Sequence, residues 1–328
     1  MKITMAHGSG GRATGELIAS TFAKYFNNPI LNKMEDSAVV EGSGRLAMTT
    51  DSFVVTPLIY PGGDIGRLAI CGTVNDLLMS GAVPKYITCG YILEDGADVD
   101  LLTQIVKSMA ETAAEAGVTI VAGDTKVIEG NGGIYINTAG VGFLPDGINI
   151  SAANCADGDA IIVSGNLGDH HAAILSTRME IENEIQSDNA PLVEIVRALK
   201  EAKVELHAMR DVTRGGLATV LHEFAVSSGS CMELWEEKLP VHPAVQGFCN
   251  LLGLDPLYMG NEGKMLTVVP KHDAETALQA IRGSKYGEHA AIIGEVTHTE
   301  NGNVLVHTKV GGVRTVSELI GEGLPRIC

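Results

Sequence analysis

Residues 101–126 read LLTQIVKSMAETAAEAGVTIVAGDTK. Apolar residues recur at helical spacing from Leu101 to Ala116, and Gly117 supplies a common helix C-terminus. The run Val118-Thr119-Ile120-Val121-Ala122 then predicts a strand, and the polar motif Gly123-Asp124-Thr125-Lys126 follows it directly. A helix that alternates with a strand favours the α/β class.

The same alternation continues on both sides of this stretch. Residues 146–159 are rich in Gly, Asn, Asp and Ser, which is typical of a domain boundary. Hydrophobic periodicity predicts a helix over residues 65–79 and strands over 134–143 and 265–269. We therefore predict an N-terminal domain over residues 1–150, a C-terminal α/β domain over 151–310 and a flexible tail over 311–328.

The composition narrows the class of protein. The 328 residues are 45% hydrophobic and carry a formal net charge of −17. This charge argues against a nucleic-acid partner and against an anionic membrane. We also find no signal peptide and no apolar run long enough for a bilayer, so a cytoplasmic location is expected. The six cysteines form no C-x-x-C pair, and those within apolar runs, such as Cys71 and Cys89, are expected in the core.

A glycine-rich segment begins at His7 and includes Gly8, Gly10 and Gly11. Backbone N–H groups can approach an anion closely at such glycines, and a helical pattern follows from Glu16. The segment lacks the Gly-Lys-Ser/Thr of a Walker A loop and the preceding strand of a Rossmann fingerprint. It predicts phosphate binding, with an unstructured N-terminal segment as the alternative.

Four aspartates occur where isolated carboxylates are costly. Asp51 and Asp124 are predicted at strand ends, Asp36 precedes a strand, and Asp76 lies in an otherwise apolar helix. Each alone could be a cap or a turn residue. Together, and beside a glycine-rich segment, they favour a site for Mg²⁺ and a polyphosphate.

The sequence ends in Leu324-Pro325-Arg326-Ile327-Cys328. Pro325 favours an extended backbone before it, and chain ends are commonly mobile. This arrangement predicts a flexible arm with a nucleophile at its tip. The alternative is that the position of this cysteine has no meaning.

These motifs together resemble the HypE family of hydrogenase maturation factors, which are carbamoyl dehydratases in the superfamily of aminoimidazole ribonucleotide synthetase. The resemblance covers essentially the whole chain. The segments that carry it are His7 to Gly11, Thr50-Asp51-Ser52, Asn75-Asp76, Gly123 to Lys126, Arg210 to Gly216, Asn261 to Lys264 and Pro325 to Cys328.

The resemblance implies a two-domain PurM-like α/β fold and a homodimer whose N-terminal sheets form a barrel at the interface. It implies that HypF places a carbamoyl group on Cys328. ATP and Mg²⁺ then support dehydration of that group to a thiocyanate. The cyano group passes to iron held by a HypC–HypD complex and becomes a cyanide ligand of [NiFe]-hydrogenase.

The resemblance also implies the roles of individual residues. Catalysis is expected from Cys328, Lys126 and Glu262, where phosphate binding alone is the alternative for Lys126 and a structural turn is the alternative for Glu262. Magnesium is expected at Asp36, Asp51, Asp76 and Asp124. Nucleotide contacts are expected from these aspartates and from His7, Gly8, Gly10, Gly11, Asn75 and Arg214.

Two competing functions stay open on the residues alone. A related selenophosphate synthetase or thiamine-phosphate kinase would share the internal motifs, although neither needs a terminal cysteine. A non-enzymatic scaffold that only delivers its tail would need no magnesium–ATP site, so the four aspartates argue against it.

Overall fold

The computed structural model describes residues 2–8, 12–33, 38, 40–42, 44–300 and 302–317. Two mixed β-sheets with helices packed on them, and a small antiparallel pair of strands, form the described part of the chain. No helix among these residues is long and apolar enough to cross a membrane.

The first sheet has four strands in the order β1-β6-β4-β5. Strand β6 is antiparallel to β1 and β4, whereas β4 and β5 are parallel. The elements of this half are α1 Arg12–Leu17, α2 Ala23–Tyr25, β1 Leu46–Phe53, β2 Ile59–Tyr60, β3 Gly63–Asp64, α3 Ile65–Met79, β4 Val83–Glu94, α4 Val99–Ala116, β5 Thr119–Ile128 and β6 Ile134–Phe143.

Helices α3 and α4 cover one face of this sheet. Asp64 caps α3, since its carboxylate accepts hydrogen bonds from the Gly66 and Arg67 N–H groups at 2.7 and 3.0 Å. Gly66 lets the two helices approach closely, because a Cβ there would lie 2.4 Å from the Ile105 carbonyl oxygen. The opposite face exposes apolar side chains, among them Met48 and Ile92.

The second sheet has seven strands in the order β13-β12-β9-β11-β7-β10-β8. Its neighbouring strands are antiparallel except for β12 and β9. The elements of this half are β7 Ala160–Val163, α5 Asp169–Arg178, α6 Val193–Glu201, β8 Ala208–Asp211, α7 Gly216–Ser228, β9 Cys231–Trp235, α8 Pro243–Leu252, β10 Met265–Val269, α9 Ala274–Arg282, β11 Ala291–Thr297, β12 Val304–His307 and β13 Val313–Thr315.

The two halves share buried contacts. The Asn75 amide on α3 donates to the Ala190 carbonyl oxygen at 3.1 Å and accepts from the Leu192 N–H at 2.9 Å. One hydrophobic cluster contains residues from both halves, including Ile87 of β4 and Ile162 of β7. The core therefore runs across the predicted boundary near residue 150, and the domain limits given above stay predictions.

The first residues of the tail that we predicted over residues 311–328 belong to the second sheet instead. Residues 313–315 form β13, which pairs antiparallel with β12, and the Val316 side chain is fully buried. Burial of this apolar side chain joins the segment to the sheet. Residues 318–328, including Cys328, lie outside the described residues.

Candidate active site

A cavity of about 160 Å³ lies between β1, α3 and the loops of the second half. Four carboxylates line it, namely Asp51, Asp76, Asp211 and Glu262, together with Arg214. The structure therefore brings four of the predicted site residues together. Asp211 is an additional member that the sequence analysis did not assign to the site.

Asp51 and Asp76 meet because β1 packs closely on α3. The Thr49 hydroxyl of β1 donates to the Asp76 carboxylate at 2.7 Å. Gly72 of α3 allows this approach, since a Cβ there would lie 2.9 Å from the Phe53 ring and 3.5 Å from Asp51 Oδ2. Asp51 lies within β1 and not at its end as predicted, so its side chain faces the helix by strand alternation.

Burial raises the pKa of all four carboxyl groups, and repulsion between carboxylates adds to the effect at Asp76, Asp211 and Glu262. Desolvation, reinforced by Asp76 and Asp51, raises the pKa of Asp211 to about 7. Desolvation also raises the pKa of Asp76, and desolvation with Asp211, Asp188 and Asp51 raises that of Glu262 well above its ordinary range. Arg214 opposes these shifts at Asp76 and Glu262. The cavity therefore contains in Asp211 a group that can exchange a proton near neutral pH.

The raised pKa of Asp211 gives a testable pH dependence. A carboxyl group whose pKa rises from 3.8 to about 7 on folding binds more protons in the folded state between these values. The free energy of unfolding should therefore fall as pH rises from 4 towards 8, by an amount on the order of a few kcal/mol.

Asp211→Asn should flatten this part of the pH profile. Urea denaturation of both proteins at several pH values would measure the difference. The exposed variant Asp157→Asn serves as the control. Parallel profiles for the wild-type protein and Asp211→Asn would contradict the assignment.

The turn that carries Arg214 packs against the loop that carries Glu262. The Asn261 N–H donates to the Val212 carbonyl oxygen at 2.9 Å. Gly216 has a φ of 63°, and a Cβ there would lie 2.5 Å from the Leu257 carbonyl oxygen. A larger residue at this position would separate the two segments, so the glycine keeps Arg214 and Glu262 at one cavity.

A hydrogen bond and close packing fix the backbone at Glu262. Its N–H donates to Asp188 Oδ1 at 3.0 Å. A Cβ at Gly263 would lie 1.9 Å from the Asp188 carbonyl oxygen, so only glycine fits between these segments. Asp188 is itself buried and lies 3.5 Å from Lys264 Nζ. These contacts fix the backbone position of Glu262.

Asp124 and Lys126 do not line this cavity. They form an exposed ion pair on β5, with Lys126 Nζ 2.9 Å from Asp124 Oδ2. Strand β5 extends to Ile128, so Asp124 also lies inside a strand and not at its end. Because β5 and β1 are opposite edges of the four-stranded sheet, about 14 Å separates them at ~4.8 Å per strand.

Asp51 and the Asp124–Lys126 pair also face different sides of the four-stranded sheet. Across the sheet, Asp124 of β5 pairs with Gly90 of β4, and Gly90 pairs with Asn137 of β6. Asn137 pairs in turn with Ser52 of β1, which is the neighbour of Asp51. Adjacent residues of a strand point to opposite faces, so Asp124 points away from α3. Among the described aspartates, Asp124 therefore does not join Asp51 and Asp76 within one chain, and Lys126 does not meet Glu262 there.

The N-terminal segment packs beside β5. His7 accepts a hydrogen bond at Nδ1 from the Thr4 N–H at 3.0 Å, and Met5–Gly8 forms a short 3₁₀ helix. Residues 12–25 are helical, as expected for the segment after the glycines. A second cavity of about 230 Å³, lined by apolar and aromatic side chains, separates this helical stretch from residues 123–125.

The other predicted residues lie outside the described part of the chain or have structural contacts. Gly10, Gly11, Asp36 and Cys328 lie outside the described residues. Both groups of the Asn75 amide bond to the 190–192 backbone, so its assignment to the nucleotide stays a prediction. Cys71 and Cys89 are buried in the core as expected, and burial raises the pKa of the Cys89 thiol to about 12.

Comparisons with known proteins follow the same division of the chain. Residues 34–144 match the N-terminal domain of AIR synthase related proteins, and residues 156–307 match their C-terminal domain. The carbamoyl dehydratase HypE of Azotobacter vinelandii is 47% identical over 331 residues, which cover 99% of this chain and 97% of that protein.

Two solved structures are also similar over nearly the whole chain. A hydrogenase maturation protein HypE in complex with ATP has a TM-score of 0.95 at 45% identity and covers 99% of both chains. A HypE chain from a HypE–HypF complex has a TM-score of 0.81 at 44% identity. It covers 94% of this chain and 100% of that chain.

Proposed function

Because this chain belongs to the HypE family of carbamoyl dehydratases, we propose that it uses ATP to dehydrate an S-carbamoyl group on its own Cys328 to a thiocyanate. The single observation that carries the proposal is the similarity, over 99% of both chains, to a HypE in complex with ATP. The product would supply the cyanide ligands of [NiFe]-hydrogenase. The similarity to this HypE favours the dehydratase function over the kinase and scaffold alternatives.

The reaction balances in two steps. The carbonyl oxygen of the carbamoyl group attacks the γ-phosphorus of ATP, ADP leaves, and one N–H proton is lost from nitrogen. The C–O bond then breaks, phosphate leaves with that oxygen, and loss of the second N–H proton completes the C≡N bond. The protein must therefore hold the polyphosphate in line and accept two protons.

The carboxylate cavity suits the proton-transfer part of this task. The backbone of Glu262 is held by Asp188, and burial raises the pKa of its carboxyl group, so the ionised form is a stronger base towards an N–H proton. Arg214 faces the same cavity and would stabilise negative charge on the departing phosphate. Lys126 is proposed to act at the phosphates or at the carboxamide.

The same oxygens fit a magnesium ion chemically. Magnesium commonly binds through one or two carboxylates together with the phosphates of its nucleotide, and Asp51 with Asp76 offers such a pair. Among the described residues no three His, Cys, Asp or Glu side chains are grouped closely enough to hold an ion without those phosphates. Asp36 and Asp124 are the other two proposed magnesium ligands. When bound, Mg²⁺ would neutralise charge on the polyphosphate.

The partners follow from the chemistry of the tail. A carbamoyltransferase of the HypF type would load Cys328, in line with the relative seen in a HypE–HypF complex. A HypC–HypD complex would accept the cyano group. No nucleic acid and no membrane are expected as partners, and the cytoplasmic location stays a prediction.

A homodimer would bring the Asp124–Lys126 pair of one chain to the carboxylate cavity of the other. The uncovered face of the four-stranded sheet carries exposed Leu46, Met48 and Ile92, and Asp124 with Lys126 points to the same side. Apolar faces of this kind mark interaction surfaces. We therefore place a second copy on this face, so that the two sheets form a barrel with edge strand β5 of one chain beside edge strand β1 of the other, and Asp124 joins the site of Asp51 and Asp76 around that edge.

Mixed dimers test both the dimer and the shared site. Asp76→Asn and Asp124→Asn should each lose ATP-dependent dehydration when purified alone. Mixed dimers of the two variants should regain about half of the wild-type rate, because one of their two sites has both aspartates. Exposed Asp157→Asn is the control that should keep full activity.

Two outcomes would contradict this proposal. Light scattering that finds only monomer at micromolar concentration would exclude the assembly. Mixed dimers that stay as inactive as the separate variants would exclude a site shared between chains.

A further inference from the structure

Residues 187–192, which we call the linking segment, connect two walls of the carboxylate cavity. The Asn75 amide of α3 donates to the Ala190 carbonyl oxygen at 3.1 Å and accepts from the Leu192 N–H at 2.9 Å. Asn75 is the neighbour of Asp76 on this helix. The linking segment is therefore hydrogen-bonded to the helix that carries one wall of the cavity.

The linking segment also holds the backbone at Glu262, on another wall. The Glu262 N–H donates to Asp188 Oδ1 at 3.0 Å, and the Ala190 N–H donates to the Glu262 carbonyl oxygen at 3.3 Å. A Cβ at Gly263 would lie 1.9 Å from the Asp188 carbonyl oxygen and 2.8 Å from the Ala190 nitrogen. One short segment thus sets the position of Glu262 relative to Asp76.

The carboxylate of Asp188 is itself held by a buried ion pair. Its side chain is 2% exposed, and Oδ2 lies 3.5 Å from Nζ of Lys264, whose side chain is 10% exposed. Gly165 makes room for the lysine, since a Cβ there would lie 2.8 Å from Lys264 Cε. An isolated buried charge is costly, and the ion pair offsets this cost. The two oxygens of Asp188 are therefore engaged separately, one by the Glu262 N–H and one by Lys264.

Asp188 and Lys264 act on the chemistry only through their neighbours. Neither residue lines the carboxylate cavity, whereas both line a separate groove. Neither is among the proposed nucleotide contacts. An effect of this ion pair on the reaction must therefore pass through the backbone at Glu262.

We propose that Asp188, held by Lys264, is a positioning residue of the dehydration reaction, which places the Glu262 side chain where it can reach the N–H protons of the carbamoyl group. This inference rests on the proposed function, in which Glu262 takes those protons. Misplacement of a reacting group by ~1 Å can lower a rate by ~10²-fold. Loss of the Asp188 acceptor should therefore slow the chemical step and leave ATP affinity unchanged.

Two double variants that differ in a single acceptor test this role. Asp188→Asn with Lys264→Gln, the amide pair, replaces the ion pair by neutral side chains and keeps a carbonyl oxygen for the Glu262 N–H. Asp188→Ala with Lys264→Gln, the acceptor-free pair, has the same replacement of the lysine and lacks that oxygen. Removing both charges together avoids a buried charge without a partner.

The readouts are single-turnover dehydration by the full-length chain, preloaded by the carbamoyltransferase, and ATP affinity by calorimetry. The acceptor-free pair should be roughly 10–100-fold slower than the wild-type protein, and the amide pair should stay within about 5-fold of it. Both should bind ATP with wild-type affinity. Rates are taken per folded protein below the thermal transition of each variant, so a loss of stability cannot produce the difference.

A second acceptor-free variant guards against a folding defect of the first. Asp188→Leu with Lys264→Gln fills the space of the carboxylate with a side chain of similar shape and should show the same loss of rate. Equal rates for the amide pair and the acceptor-free variants would overturn the positioning role of Asp188. A loss of ATP affinity that accounts for the slower rate would overturn it as well.

The same pairs in a Glu262→Gln chain show whether the loss passes through Glu262. Because the base is then absent, the acceptor-free pair should be no more than about 2-fold slower than Glu262→Gln alone, the non-additivity expected of residues that act as a unit. A further loss of about 10-fold or more would overturn the inference. A normal rate for Glu262→Gln by itself would instead refute the proposed role of Glu262, so the two failures are distinguishable.

Discussion

Cys328→Ala is expected to abolish thiocyanate formation completely while leaving ATP affinity unchanged. The thiol is the atom that carries the carbamoyl group in the proposed reaction, so no other residue can substitute for it. The proposed nucleotide contacts come from other residues, so ATP affinity should not depend on this thiol. Calorimetry of ATP binding and a cyanide-release assay after loading by the carbamoyltransferase would measure the two effects separately.

Cys249→Ala provides the matched control for this prediction. Cys249 is buried, and desolvation raises the pKa of its thiol to about 11, so it is a poor nucleophile. Its replacement should cost some stability and leave the chemistry intact. Thiocyanate formed in the absence of Cys328, or a carbamoyl group found on a buried cysteine, would refute the assignment.

Glu262→Gln is expected to lower the dehydration rate by about 10²–10⁴-fold, the usual contribution of a general base. Glutamine preserves the size of the side chain and cannot accept the N–H proton. The backbone contacts with Asp188 should survive, because they involve the N–H of residue 262 and not its side chain. ATP affinity should therefore change little.

The exposed variant Glu237→Gln is the control for this substitution, since it removes a carboxylate that lines neither of the two cavities. Single-turnover measurements with preloaded protein would isolate the chemical step. A Glu262→Gln variant with a normal single-turnover rate would show that another group takes the proton. Loss of ATP affinity in this variant would instead assign Glu262 to the nucleotide.

Strong periodicity made several elements predictable. The helix over residues 65–79 and the strands over 134–143 and 265–269 match the structure at both ends. Their apolar residues are buried by the sheet on which they pack, so local pattern and tertiary environment agree. Asp51 and Asp76 were recognised for the same reason, since a carboxylate in an apolar element needs an explanation.

The missed features depend on contacts between distant parts of the chain. Asp211 reads as a turn residue, and only the pairing of β8 with β10 and the packing of α3 bring it beside Asp76. Val316 sits in a polar, glycine-containing stretch, so its burial against Val304 is not visible in the local pattern. The separation of Asp124 from Asp51 follows from strand order, which the sequence does not reveal.

The central claim is that one thiol carries the group through dehydration on this chain. Mass spectrometry of the C-terminal peptide tests it most directly, after incubation with the carbamoyltransferase, carbamoyl phosphate and ATP, and with a sample that contains a non-hydrolysable ATP analogue. We predict a carbamoyl adduct on Cys328 with the analogue and an adduct lighter by one water with ATP. An adduct that never loses water, or that lies on any other residue, would contradict the account.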